Sequence, residues 1–150
     1  MADRVQFELV TPERLLVSQD VEMVVVPGSE GNFGVLPGHS PLISTIRPGT
    51  IDIYENRLVT ERFFVGGGIA EVTPEGCTVL ADEAMSPDTL DRAAIEAEAQ
   101  TVEGNVPALH EQVGRATGAE RERLLADLRS LERQQAVARA KLQAIVEIGR

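Results

Sequence analysis

The chain has no tryptophan, one tyrosine, four phenylalanines, one cysteine and two histidines among its 150 residues. Each scarcity narrows the field. A lone Cys77 forms no internal disulfide and lies in an apolar, strand-like run, CTVLAD, so it reads as a small buried hydrophobe of a chain kept in a reducing compartment. Two histidines, His39 and His110, far apart in sequence and joined by one cysteine, give no recognisable metal-ligand spacing. No apolar run approaches the roughly 20 residues that a membrane-spanning helix needs, and the opening MADRVQFELV carries charge where a signal peptide would be apolar. Direct membrane insertion is therefore not expected. Basic residues are the minority, 14 against 24 acidic ones for a net charge of −10, which argues against nucleic acid and anionic lipid as partners, since both are held by Lys and Arg.

What is present falls into two rhythms. Over residues 1–85 short runs of period two recur (Val5, Phe7, Leu9; Val21, Met23, Val25; Ile51, Ile53; Ile69 to Val72; Val79 to Ala81), separated by the turn signals TPE, PGSEG, RPGT, GGG and TPEG. This predicts an all-β N-terminal domain, a flattened antiparallel sandwich or barrel. Residues 86–150 read as helix. Ser86 is the expected N-cap, with Pro87 at the first helical position and Asp88 in the first turn. Leu90, Ala94 and Ala97 share the expected contact face, and Pro107 predicts a kink or break at GNVP, with a second short piece over 108–115. Thr117 and Glu120 form a capping box before the last helix. There Leu124, Leu128, Leu131, Gln135, Ala138, Leu142 and Ile145 alternate at spacings of four and three, a seam that demands a partner helix. An antiparallel hairpin supplies one.

Charge also divides the halves. Residues 1–86 hold 13 acids against 5 bases, and residues 87–150 hold 11 against 9. The final helix reverses the sign, with Arg115, Arg121, Arg123, Arg129, Arg133, Arg139 and Lys141 outnumbering Glu120, Glu122, Asp127 and Glu132. These basic residues either dock on an acidic partner or form a solvated face stitched by i to i+4 ion pairs.

Catalysis finds no foothold. His39 and Ser40 are adjacent on an extended stretch and point to opposite sides, so they share a proton poorly. Gly66-Gly67-Gly68 lacks the Lys and Ser/Thr of a P-loop and reads as a tight turn or bulge between FFV and IAEV. The segment at residues 30–41, EGNFGVLPGHSP, places three glycines, two prolines and His39 in what reads as one connection, far more than a turn requires.

That segment, within PGSEGNFGVLPGHSPLISTIRPG, resembles the first signature of the epsilon subunit of bacterial F-type rotary ATP synthases; FVGGGIAEVTPEGCTVLADEA is similar to the second. The match spans roughly residues 4–85. The resemblance implies a ten-stranded sandwich followed by two antiparallel helices, in a non-catalytic central-stalk subunit at the cytoplasmic face of the bacterial inner membrane. By position, Ser29, Glu30, Gly31, Asn32 and Phe33 would meet the c-ring, and Thr11, His39 and Ser44 the gamma subunit, although His39 could instead hydrogen-bond within its own turn. The helical part of that family either folds against the sandwich or extends toward the alpha and beta subunits and blocks ATP hydrolysis, with the Arg121 to Lys141 series then facing an acidic segment of beta. Some members bind ATP through I/L-D-x-x-R-A; Leu90-Asp91-Arg92-Ala93 is followed here by Ala94, so no ATP or other cofactor is expected. The competing reading is an adaptor sandwich that dimerises through the Leu124 to Ile145 seam.

Overall fold

The computed structural model describes residues 4–148. The chain divides into two compact units, Met1–Thr89 and Leu90–Arg150. The first contains strands β1 (Val5–Val10), β2 (Leu15–Val21), β3 (Met23–Gly28), β4 (Gly31–Val35), β5 (Leu42–Glu55), β6 (Leu58–Val72), β7 (Gly76–Ala81) and β8 (Ala84–Met85), then a 3₁₀ turn at Pro87–Thr89. Hydrogen bonds order them β2-β1-β7-β6-β5-β3-β4, with β8 on β6. The β1–β7 pair is parallel and the other pairs are antiparallel.

Alternation along the strands decides which side is core. Val5, Phe7 and Leu9 of β1 are buried, as are Val24 and Val26, Ile51 and Ile53, and Cys77 and Val79, and all join one cluster. β1 also lies against β3, and β2 against β5, although neither pair is hydrogen-bonded. The sheet thus closes over a shared core as a sandwich.

Three expectations from the sequence are corrected by the strand register. RPGT and GGG are not turns: β5 and β6 run 14 and 15 residues and stay paired past both, with Pro48 opposite Gly66 and Ile46 opposite Gly68. Hydrogen bonding therefore gives eight strands, and dividing the two long ones at those points brings the number to ten. The segment at residues 30–41 is not one connection either, because residues 31–35 form β4 on β3. Its glycines hide it from any reading based on β-propensity.

Cys77 is buried among apolar side chains, and burial pushes its thiol from 9.0 up to about 12. Below pH ~9 the thiol is protonated in both folded and unfolded chains; above it the unfolded chain deprotonates first, so stability falls as pH rises toward 12. We expect no alkylation of native Cys77 at pH 8 and rapid labelling in denaturant. Prompt labelling of the native chain would contradict this burial.

The second unit is a hairpin of α1 (Arg92–Arg115) and α2 (Gly118–Ile148). Its start differs from expectation. Ser86 begins the 3₁₀ turn, its carbonyl accepting from the Thr89 N–H at 3.0 Å, whereas Asp91 is the N-cap and accepts from the Ala94 N–H at 3.3 Å. Pro107 lies inside α1 and neither breaks it nor starts a second piece. One backbone bond is forgone, but Val102 before it and Val113 after it are both buried, so packing on α2 holds the helix through the gap. The contact face is also different: Ala94 and Ala97 are exposed, and the stripe is Ile95, Ala99, Val102, Val106, Leu109 and Val113 at spacings of four and three. Every α2 seam residue is buried or half-buried. Ala138 packs with Ile95 and Ala99, and Arg139 meets Glu103 at 3.4 Å, as an antiparallel pair requires. With its seam occupied by α1, the hairpin leaves the dimerising adaptor without that face.

Candidate functional site

β3 and β4 form a hairpin with Gly28 opposite Gly31, Pro27 opposite Asn32 and Val26 opposite Phe33, leaving Ser29 and Glu30 as a two-residue tip. Ser29, Glu30, Gly31 and Asn32 are exposed and Phe33 is half-buried. The Ser29 N–H donates to the Thr45 carbonyl at 2.9 Å, tying the tip to β5. Between residues 28–33 and 42–45 runs an open groove of about 550 Å³. Ser44 lines it with its hydroxyl donating to the Thr45 carbonyl at 3.0 Å, so one residue expected at gamma shares a groove with the five expected at the c-ring.

Thr11 and His39 are placed elsewhere. Thr11 is buried and closes the β1–β2 turn: its N–H donates to the Arg14 carbonyl at 2.9 Å, and its hydroxyl reaches the same atom at 3.3 Å. The His39 N–H donates to Leu36 at 3.2 Å, and Nδ1–H donates to the Ser40 carbonyl at 2.6 Å. That bond fixes the proton on Nδ1 and turns this nitrogen to backbone, away from any role as base for the Ser40 hydroxyl.

The sandwich carries a further surface that no motif marks. Opposite Val10 stand Leu15 on β2 and Leu80 on β7; Leu80 is opposite Ile69, and Ile69 is opposite Thr45, with Ile43 diagonally beside it. Leu15, Leu80, Ile69 and Ile43 are 50 to 73% exposed. Paired residues share a face, so these side chains make one apolar band across β2, β1, β7, β6 and β5, on the side turned away from the core. Glu8 and Glu71 flank it, both opposite Thr78. The signal was in the sequence: IA in β6 and VL in β7 are apolar on both faces where a solvated face would alternate.

On α2, Arg121, Arg123, Arg129, Arg133 and Arg139 are exposed and Lys141 is half-buried. Arg139 pairs with Glu103 of α1, while Arg121, Arg123, Arg129 and Arg133 form no ion pair with any described residue. The i to i+4 pairs that do form, Arg92 with Glu96 and Arg115 with Glu111, are on α1. Ala94, which follows Leu90-Asp91-Arg92-Ala93, gives its backbone N–H to the Asp91 side chain. Among the described residues no helix is long and apolar enough to cross a membrane.

Residues 4–87 match the family model of the ATP synthase delta/epsilon chain β-sandwich domain. The ATP synthase epsilon chain of Rhodospirillum centenum is 48% identical over 147 residues, 97% of this chain and 94% of that protein. The epsilon chain of Rhodospirillum rubrum is 48% identical over 120 residues, 80% of this chain and 90% of its own length. A chain in the cryo-EM structure of the Euglena gracilis mitochondrial ATP synthase, OSCP/F1/c-ring, has the same fold, with a TM-score of 0.74 at 16% identity over 97% of this chain and 83% of that one. Sandwich, helical pair and sequence agree along nearly the whole length, and the chain belongs to the family of ATP synthase epsilon chains.

Proposed function

We propose that the chain is the central-stalk subunit through which the c-ring of a proton-translocating ATP synthase turns the gamma subunit. The observation that carries this reading is the apolar band across five strands, on an otherwise acidic sandwich in an epsilon-family chain. A contiguous exposed band of this kind marks a surface for a partner, and its Glu8 and Glu71 flanks call for a partner surface with an apolar centre and a basic rim, the role assigned here to gamma. Thr11 closes the turn beside Val10, so its stretch of chain borders that band while its side chain braces the turn. The hairpin tip at residues 29–33, with its groove, is the surface for the polar loops of the c-ring. This role is mechanical and assigns the chain no chemistry. The subunit is then a peripheral part of the complex, at the cytoplasmic face of the bacterial inner membrane.

Capture tests the reading directly. The purified chain should bind both isolated gamma subunit and solubilised c-ring, and binding to neither by a normally folded chain would end it.

The exposed arginines favour a second, regulatory role on the extended hairpin, directed at an acidic segment of the beta subunit. Reversing charge at Arg129 and Arg133 should raise ATP hydrolysis by the assembled enzyme by about fivefold, the change that ~1 kcal/mol of lost coupling produces. An unchanged hydrolysis rate would leave the helices without an inhibitory part.

A further inference from the structure

The RPGT stretch is no turn, and the strand register shows what it does instead. β3 and β5 pair at Val25 with Asp52 and again at Gly28 with Ile46, so three steps along β3 answer to six along β5. The surplus residues of β5 form a bulge around Pro48 and Gly49, where Gly49 approaches so closely that a Cβ would stand 3.0 Å from the Pro27 Cβ. This bulge delivers Arg47 to the β3–β4 hairpin. Its Nη1 donates to the Gly28 carbonyl at 2.6 Å, and its Nη2 donates to the Asn32 Oδ1 at 2.6 Å. One guanidinium therefore bridges both arms of the hairpin, Gly28 on β3 and Asn32 on β4.

We propose that Arg47 is a positioning residue, a staple that holds the tip at residues 29–32 in the shape that docks on the c-ring loops; this rests on the reading of the tip as the c-ring surface. The hairpin end is otherwise held by its own ladder and, toward β5, by the Gly28–Ile46 pairing and the Ser29 to Thr45 bond beside it. Hairpin ends held so thinly open readily, and a tip that must be ordered on docking loses that ordering cost from its affinity. A planar fork spans two acceptors on different strands, whereas a lysine ammonium is a point charge that serves one well. The Phe33 ring completes the arrangement, packing where a Cβ on Gly28 would stand 2.9 Å from it.

The test is amide exchange at residues 29–32 of the full chain, with β1 and β7 amides as internal reference, in Arg47→Ala, Arg47→Lys and Asn32→Ala. Arg47→Ala should speed exchange at the tip about fivefold and leave the reference amides unchanged. Asn32→Ala, which removes one arm of the bridge, and Arg47→Lys should fall between it and the parent. Affinity for solubilised c-ring should weaken in the same order. Tip exchange in Arg47→Ala equal to the parent would overturn the staple. Equal c-ring affinity despite faster exchange would overturn its part in docking. A parent chain that binds no c-ring at all would remove the c-ring reading itself, while the exchange experiment still decides whether Arg47 holds the tip.

Discussion

Gly68→Ala is expected to unfold the sandwich. The β6 backbone at Gly68 has φ +145°, and a Cβ there would stand 2.1 Å from the Leu80 carbonyl oxygen and 2.9 Å from the Ala81 Cα. Those atoms are backbone of the paired strand, since Gly68 is opposite Ala81, so no side chain can swing aside. The alternatives are to open the β6–β7 ladder or to displace β7, whose Cys77 and Val79 belong to the core. Overpacking, left-handed strain and broken ladder bonds together reach about 4 kcal/mol. A domain holding ~5–15 kcal/mol in total, and losing ~4–8 °C per kcal/mol, should then melt some 15–30 °C lower or fail to fold. Gly104→Ala makes the natural comparison. Gly104 sits inside α1 with nothing within 4 Å of an added Cβ, so alanine there should stabilise the helices by about 0.5–1 kcal/mol. Circular dichroism melts of the three chains decide the matter; a Gly68→Ala melt within about 3 °C of the parent would show that β7 accommodates the methyl group.

Leu80→Glu carries the largest expected effect on assembly. Leu80 is 55% exposed at the centre of the apolar band, between Val10 and Ile69, so its replacement leaves the core intact and should move stability by less than about 0.5 kcal/mol. Buried under a partner, the same position becomes an unpaired carboxylate beside Glu8 and Glu71. Removing a central apolar anchor and adding a like charge together cost at least about 3 kcal/mol, or roughly a hundredfold in affinity for gamma. Leu58→Glu is the control, because Leu58 is 69% exposed yet lies outside the band. Titration of gamma subunit with both variants should show the loss for Leu80→Glu alone. Equal affinities would detach gamma from this face.

The sequence carried the sandwich and hairpin because both rest on period: Val5, Phe7 and Leu9 alternate, and the α2 seam repeats at four and three. Its errors arose where one residue was given a single meaning. Pro107 reads as a break only if local propensity decides, but Val102 and Val113 packed on α2 override it. Accepting the break also concealed the Ile95 to Val113 stripe that runs through it. Pro48 and Gly49 read as a turn because a bulge uses the same residues. The candidate site divided along the same line. The hairpin tip was singled out only through the resemblance of its segment, and Arg47 and the band were silent, since one depends on which strands face each other and the other on residues 15, 43, 69 and 80 meeting across five strands.

The parallel pairing of β1 with β7 sets a timetable for biosynthesis. β1 stands between β2 and β7, and its residue Gln6, already opposite Asp20, finds its second neighbour at Gly76, seventy positions on. A nascent chain emerging from the ribosome must hold Val5, Phe7 and Leu9 half-covered until Ala81 has been translated, and this distant closure makes for slow folding. Fragments stopped short of β7 will therefore aggregate, whereas those released after it can already seal their first strand in place.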